Sequence, residues 1–273
     1  MIFVNPPQRD YHADFVSLSG TREEDVAQLL NLAARNVFRA YNRYVARSAD
    51  AAHLLPSRAN DNTRVALRSN YPILRDGAIY GELLRVTDGR CPMCGFGEAS
   101  TLDHYLPLSR YPEFSVFAVN LVPACARCNQ LKGNSVGRTP TEQFLHSFFH
   151  QIPSIPVLTC RVDVEPGTVL VTFRIRQSQR VPTDILARMS YQFDRLRLAD
   201  RFRREALNEL GDRRAIFATY VGPNDDSEAL RDRLRQEARG FLATLGPNHW
   251  KTALYIALRQ NREFWSGGFR SVR

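Results

Sequence analysis

Lysine is nearly absent from this sequence. Lys132 and Lys251 are the only two, so 35 of the 37 basic side chains are arginines. With 28 acidic residues the formal net charge is +9 at pH 7, and a basic surface concentrates near polyanions. The composition therefore favours nucleic acid as the partner, although the scarcity of lysine also fits a simple compositional preference for arginine.

The sequence also lacks long apolar runs. No stretch approaches the roughly 20 apolar residues of a membrane span. Residues 1–10 have neither the basic nor the apolar segment of a secretory signal. The apolar share of 44% and the charged share of 24% are those of an ordinary soluble globular protein. We therefore expect a soluble, cytoplasmic protein with no membrane partner.

Cysteine is scarce as well, but four of the five cysteines form two Cys-x-x-Cys pairs, Cys91 with Cys94 and Cys125 with Cys128. Two such pairs at this separation are typical ligands of one structural Zn²⁺, which would stabilise the fold and leave catalysis to other residues. Two disulfides or a set of buried thiols are the alternative; the lack of a secretory signal disfavours the disulfides, and the two paired spacings favour zinc over unliganded thiols. The fifth, Cys160, is expected to be a small buried apolar residue.

Between and beside these pairs lies a set of Asp, His and Asn residues. Asp103 and His104 are adjacent, Asn120 precedes Leu-Val-Pro, and Asn129 directly follows the last cysteine of the second pair. With this order of residues, the segment 91–133 resembles the HNH family of nucleases. In that family two short strands and a helix, the ββα-metal fold, surround one divalent ion. The loop after the Asp-His departs from the family pattern, because many members have Gly-Gly there.

The resemblance implies a metal-dependent endonuclease that hydrolyses DNA phosphodiester bonds. His104 would be the general base, a task that suits the pKa of imidazole. Asp103 and the amide oxygen of Asn129 would hold the catalytic ion, Mg²⁺ or another divalent cation such as Mn²⁺ or Ni²⁺, because hard cations take oxygen ligands. Asn120 would tie the loop that orients His104. Lys132, three residues beyond Asn129 on the predicted helix, would meet a substrate phosphate.

A second interpretation stays open: a catalytically inert, zinc-stapled module that binds nucleic acid. Such a module would be expected to have lost at least one of the Asp, His and Asn residues above, and all of them are present. Free-standing proteins of this kind look like effectors of bacterial defence or mobile-element systems, often working beside an ATPase, as in Septu-like pairs. By analogy with those systems, the resemblance makes an ATPase a candidate partner; the sequence has no ATPase motif of its own.

The expected fold is α-rich α+β, with a central ββα-metal module and a four-cysteine zinc site, flanked by helices and a β-hairpin. We expect an N-terminal helical region at 1–75, the HNH module at 76–140 and a C-terminal hairpin plus helical region at 141–273. Apolar and polar residues alternate around Glu-Pro-Gly at 157–176, which predicts the hairpin.

Helix boundaries are predicted from capping residues and apolar periodicity. A helix over about 21–47 would begin at a Thr-x-x-Glu capping box after an extended N-terminal arm. The next would begin near Thr63 and end before Tyr71-Pro72. A short packed helix would occupy 141–149, and one long helix would run over 183–210.

Arginines recur at four-residue intervals on the first of these helices, at Arg35, Arg39, Arg43 and Arg47. Like charges at this spacing repel, so an isolated helix gains nothing from them, whereas a polyanion would. The pattern fits contact of this surface with DNA about as well as it fits a face that is merely solvated. The arginines of the 183–210 helix form a second expected phosphate-binding surface.

Overall fold

A computed structural model describes residues 1–137, 139–222 and 227–272. Helices make up 53% of the described residues and strands 10%, which confirms the expected α-rich α+β class. The two sheets of the described residues are each antiparallel and two-stranded. None of the helices in those ranges combines the length and the apolarity that crossing a membrane requires.

The chain forms two compact units. The first comprises Met1–Gln151 with Ala187–Gln192, and the second comprises Ile152–Leu186 with Phe193–Arg273. All of the residues with an expected role in metal binding or catalysis lie in the first unit.

The first unit begins with helices where an extended arm was expected. Its N-terminal helices are α1 (Tyr11–Gly20), α2 (Glu24–Ala46), α3 (Asp61–Asp76) and α4 (Ala78–Arg85). The carboxylate of Asp10 accepts hydrogen bonds from the backbone N–H groups of His12 and Ala13, and this cap starts α1. The hydroxyl of Thr21 donates to the carbonyl of Leu18 at the end of α1, 2.8 Å away. The capping box predicted for α2 therefore does not form.

Helix α3 continues through Pro72, so the predicted end before this proline is wrong. A proline inside a helix removes one backbone hydrogen bond and crowds the preceding turn. Packing outweighs that cost here, because Leu67, Asn70 and Leu74 are buried on both sides of the proline.

Aromatic side chains hold α2 against the segment that precedes Asn120. The rings of Tyr41 and Phe117 stack with centroids 4.0 Å apart, and Tyr44 meets Phe114 edge to face at 4.8 Å. All four are nearly inaccessible to solvent. Aromatic pairs of this kind add stability beyond their buried area, so α2 supports the loop that carries the candidate site.

The cysteine-containing module consists of two short strands and a helix. Strand β1 (Thr101–His104) pairs antiparallel with β2 (Leu121–Ala124), so that His104 lies opposite Leu121. Helix α5 (Ala126–Lys132) follows directly. The predicted helix at 141–149 is absent from this unit, where those residues form turns although most of their side chains are buried.

The second unit contains the predicted hairpin. Strands β3 (Leu158–Glu165) and β4 (Thr168–Ile175) pair in register from Leu158 opposite Ile175 to Glu165 opposite Thr168. Gly167 has a φ of 74° in the turn, a conformation that glycine adopts without strain. Cys160 is partly exposed on β3, so the expectation of a buried residue is wrong.

The predicted long helix at 183–210 is broken into α6 (Thr183–Arg195) and α7 (Leu198–Ala218). Arg197 has a φ of 50° between them. Residues two apart on a continuous helix point to nearly opposite sides, yet Leu196 and Leu198 are both fully buried. The break allows both to be buried. Helices α8 (Glu228–Leu245), α9 (Trp250–Gln260) and α10 (Arg262–Trp265) follow.

Candidate functional site

The four cysteines of the two pairs converge at one point. Their sulfur atoms are buried and all lie within 4.8 Å of one another, and the sulfurs of Cys94 and Cys125 are 4.0 Å apart. A tetrahedral zinc with bonds of about 2.3 Å places its sulfur ligands about 3.8 Å apart. The cluster can therefore hold a metal ion, and its donor set suits zinc.

Backbone groups orient these sulfurs. The N–H of Cys128 donates to the sulfur of Cys125 at the start of α5, and the N–H of Gly97 donates to the sulfur of Cys94, both at 3.4 Å. A Cβ at Gly97 would lie 3.0 Å from the Cβ and sulfur of Cys125, which explains a glycine there. Hydrogen bonds among the four sulfurs raise the pKa of Cys91 and Cys128 and lower the pKa of Cys94 and Cys125, so the cluster needs a bound cation to hold four thiolates.

His104, at the end of β1, has a defined tautomer. Its Nε2 lies 2.9 Å from the backbone carbonyl oxygen of Ser115. Because a carbonyl only accepts, Nε2 carries the proton, and the neutral ring has its lone pair on Nδ1. Burial, with a smaller contribution from the charge of Lys132, lowers the pKa of His104 to about 4, although the hydrogen bond to Ser115 opposes this shift. The imidazole is therefore neutral at pH 7 and can accept a proton at Nδ1.

Helix α3 holds in place both His104 and Ser115, the two partners of the hydrogen bond at Nε2. The ring of Tyr71 meets the His104 ring edge to face, with centroids 4.4 Å apart. The hydroxyl of Ser115 donates to the backbone carbonyl of Leu67 at 2.6 Å. Sequence reasoning missed both Tyr71 and Ser115, and no motif could have found Ser115, because it acts through its backbone carbonyl.

Asn120 is completely buried and ties the loop together. Its Oδ1 accepts from the hydroxyl of Tyr44 at 2.9 Å and from the N–H of Leu106 at 2.8 Å. Its Nδ2 donates to the carbonyls of Leu106 and Phe114, at 3.1 and 3.2 Å. Phe114 directly precedes Ser115, so Asn120 fixes the segment whose carbonyl orients His104.

His146 extends this network from the far side. Its Nδ1 accepts from the N–H of Phe148 at 3.2 Å, so Nε2 carries the proton and donates to the hydroxyl of Tyr44, 3.0 Å away. Burial lowers the pKa of His146 well below its usual value. The result is a directed chain of hydrogen bonds from His146 through Tyr44 to Asn120.

Lys132 faces inward from α5. Its ammonium lies 2.9 Å from Oδ2 of Asp103 and 2.7 Å from the carbonyl oxygen of His104. Both side chains are almost fully buried. Burial raises the pKa of Asp103, and the charge of Lys132 opposes that rise. The Lys132 ammonium therefore pairs with the Asp103 carboxylate inside the protein, where neither charge is exposed to solvent.

Asn129 lies one turn before Lys132 and is partly exposed. Its Nδ2 donates to the hydroxyl of Thr101 at 3.1 Å. Thr101 and Asp103 are two apart on β1, so they share a face of that strand. The structure therefore brings Asp103 and Asn129, the expected oxygen ligands, onto facing elements, and it places Asn120 on the loop beside them.

The expected phosphate-binding arginines of α2 are all exposed. Arg39 and Arg43 line a groove of about 800 Å³ between α2 and residues 53–60, and Arg35 is outside the groove lining.

No protein-family model and no solved structure matches the chain. Over 201 residues the chain is 27% identical to Protein ea31 of Escherichia phage lambda. That alignment covers 69% of this chain and 67% of the phage protein. The name of the phage protein states no activity, so the likeness assigns no reaction.

Proposed function

We propose that the protein is a metal-dependent endonuclease that hydrolyses DNA phosphodiester bonds with His104 as the general base. The observation that carries this proposal is the hydrogen bond from Nε2 of His104 to the carbonyl of Ser115, 2.9 Å long. This hydrogen bond places the ring proton on Nε2, so the lone pair of Nδ1 can accept a proton from water. The carbonyl also stabilises the imidazolium that this transfer creates, because Nε2–H keeps its acceptor. Asn120 and Tyr71 hold the ring in place for that step.

Two metal ions belong to the proposal. Zinc on the four cysteines would be structural, because four thiolates leave no open coordination position. The carboxylate of Asp103 and the amide oxygen of Asn129 are the donors that a hard cation such as Mg²⁺, Mn²⁺ or Ni²⁺ would use. When bound, that ion would offset negative charge on the phosphate. Because Asp103 already pairs with Lys132, the ion would have to share or replace the ammonium.

That ion pair is also the observation that favours a second candidate, an inert zinc-stapled module that binds nucleic acid. The Lys132 ammonium already neutralises the only carboxylate expected to hold a catalytic ion. In the inert module this pair would be permanent and purely structural.

The biological setting we infer is a bacterial defence or mobile-element system, with DNA as substrate and an ATPase as partner. The HNH-like order of residues supports it. The likeness to a protein of phage lambda also fits a mobile-element setting.

Cleavage of plasmid DNA by the purified protein with Mg²⁺, Mn²⁺ or Ni²⁺ tests the proposal. General-base catalysis contributes about 10² to 10⁴ in rate, so His104→Ala should lose that factor while still binding DNA. His12→Ala, which removes an exposed imidazole on α1, is the matched control and should cleave normally. Wild-type rates in His104→Ala would refute the assigned base. No cleavage by the wild type with any of the three ions would favour the inert module.

A further inference from the structure

The groove beside α2 combines three kinds of lining. Leu32 and Leu55 are exposed apolar side chains at its sides, and Phe114 contributes a buried aromatic ring. Arg39, Arg43 and Arg58 supply positive charge. A volume of about 800 Å³ lies in the range of sites for single small molecules, and a DNA duplex is far larger.

The three arginines are available to a ligand. All are exposed, and among the residues that the structure describes none of them forms an ion pair with a carboxylate. Guanidinium groups bind phosphate oxygens through two parallel hydrogen bonds. The basic side of the groove therefore suits a phosphate.

Glu113 gives the groove a hydrogen-bond acceptor that the fold does not satisfy. Its side chain is 9% exposed, and its Oε2 has no hydrogen-bond partner within the described part of the chain. Burial raises the pKa of Glu113 to about 7, although Ser57, Arg64 and Arg43 oppose that rise. A buried carboxyl oxygen without a hydrogen-bond partner destabilises a fold, so Oε2 of Glu113 points to a ligand with an N–H donor.

The groove and the candidate general base lie on the same short segment. Glu113 and Phe114 line the groove, and the next residue, Ser115, holds the ring of His104 through its carbonyl. Leu67 also lines the groove, and its carbonyl accepts a hydrogen bond from the hydroxyl of Ser115. A ligand in the groove would therefore contact the segment that orients His104.

We propose that this groove binds one nucleotide, with its phosphate on Arg39, Arg43 and Arg58 and the N–H edge of its base on Glu113. The apolar side chains would cover the faces of the base, as in other sites for unpaired bases. Base pairing hides the N–H edge in a duplex, so the nucleotide must be unpaired or free. Its source is either an unpaired nucleotide within a strand or a free mononucleotide.

If the ligand is an unpaired nucleotide within a strand, the proposal rests on the proposed nuclease function. Binding can nevertheless be measured separately from cleavage. Fluorescence anisotropy of short labelled single strands without divalent ions, in the His104→Ala background, separates the two. A protein that binds but never cuts would leave the groove proposal standing and remove the nuclease.

Two double variants provide the comparison. Arg39→Gln with Arg43→Gln removes two groove arginines on α2. Arg235→Gln with Arg239→Gln removes two exposed arginines at the same spacing on α8, which do not line the groove. The first pair should weaken binding by about tenfold or more, since hydrogen bonds to charged groups are the strong ones. It should also lower the salt dependence by about 0.7 per lost phosphate contact. The second pair should change affinity less than about twofold if it makes no phosphate contact.

Glu113→Gln tests the base contact. Wild-type protein should prefer guanine strands over thymine strands, because guanine presents two adjacent N–H donors to one carboxylate, N1–H and its exocyclic amino group, whereas thymine presents only N3–H. The variant should lose most of that preference without a lower melting temperature. Competition by nucleoside monophosphates that matches competition by strands would identify a free nucleotide as the ligand, and competition by strands alone would identify a strand. Equal losses in both arginine pairs, or no binding of any strand or mononucleotide, would overturn the proposal.

Discussion

Lys132 and Asp103 form a buried ion pair between α5 and β1, with the ammonium 2.9 Å from Oδ2 and the two side chains 1% and 4% exposed. The same ammonium donates to the backbone carbonyl of His104 at 2.7 Å. The Lys132 ammonium thus connects α5 both to Asp103 and to the backbone of the candidate base, His104. Removing one member of such a pair leaves the other charge buried and uncompensated, which is costly.

Lys132→Met should therefore lower the free energy of unfolding by about 3–5 kcal/mol in urea denaturation. Lys251→Met is the matched control: Lys251 pairs with Glu209 at 2.8 Å but is 29% exposed, so a loss under about 1 kcal/mol is expected. If Asp103 binds a divalent ion, Mn²⁺ should raise the melting temperature of Lys132→Met more than that of the wild type. Equal losses in the two variants would contradict the role of the buried pair.

Loss of one ligand should release the metal from the cysteine cluster. Purified protein should contain about one equivalent of zinc, because binding is coupled to folding of the module. Cys125→Ser should contain less and melt at a lower temperature, whereas Cys160→Ser, outside the cluster, should keep its zinc. Metal analysis beside thermal melting decides the matter, and an unchanged melt for Cys125→Ser would argue against the zinc site.

Asn120→Ala should loosen the loop that orients His104. The variant leaves several buried backbone groups without their partner, so we expect a loss of roughly 2–4 kcal/mol. Tyr44→Phe removes one hydrogen bond of Asn120 together with the one to His146, leaves the backbone partners of Asn120 in place, and should cost about 1–2 kcal/mol. NMR spectra should show a shifted His104 ring in Asn120→Ala. An unmoved ring signal would mean that Asn120 does not position the base.

The pH dependence of cleavage should reflect the lowered pKa of His104. Since the folded pKa is about 4, the imidazole remains unprotonated between about pH 5.5 and 7.5, and the rate should lose nothing from His104 protonation there. An ordinary histidine, with a pKa near 6.5, would lose about tenfold at the lower limit. The unfolded chain takes up this proton first, so stability should fall as pH drops from about 6.5 to 4. NMR titration of the ring checks the pKa independently of activity.

Glu113 should change the pH dependence of stability in the direction opposite to His104. Its folded pKa of about 7 exceeds the usual value of 4.5, so its contribution to stability is full at low pH and is lost as pH rises through 7. Glu113→Gln should raise the free energy of unfolding at about pH 8 by on the order of 1–3 kcal/mol and have little effect near pH 4.5. Glu142→Gln, at an exposed carboxylate, should show no such difference. A pH-independent effect of Glu113→Gln would refute the raised pKa.

Much of the local structure could be predicted from the sequence, because spacing along the chain encodes it. The two Cys-x-x-Cys pairs come together as expected, and the alternation at 157–176 forms the hairpin with its turn at Gly167. The four-residue spacing of the arginines on α2 also predicted that they share one surface, and the structure leaves all of them exposed. In each case neighbours in sequence determine the outcome, through side-chain periodicity or ligand spacing.

Contacts between distant segments could not be predicted in this way. The carbonyl of Ser115 sets the tautomer of His104, and the pairing with Asp103 turns Lys132 inward. The burial of both Leu196 and Leu198 breaks a helix that local propensity would have continued at Arg197. A backbone carbonyl has no signature in the sequence, and a buried charge is oriented by whichever opposite charge the fold brings near it. Residue types and spacing therefore identify the members of the site, whereas the packing of distant segments sets which of their atoms face one another.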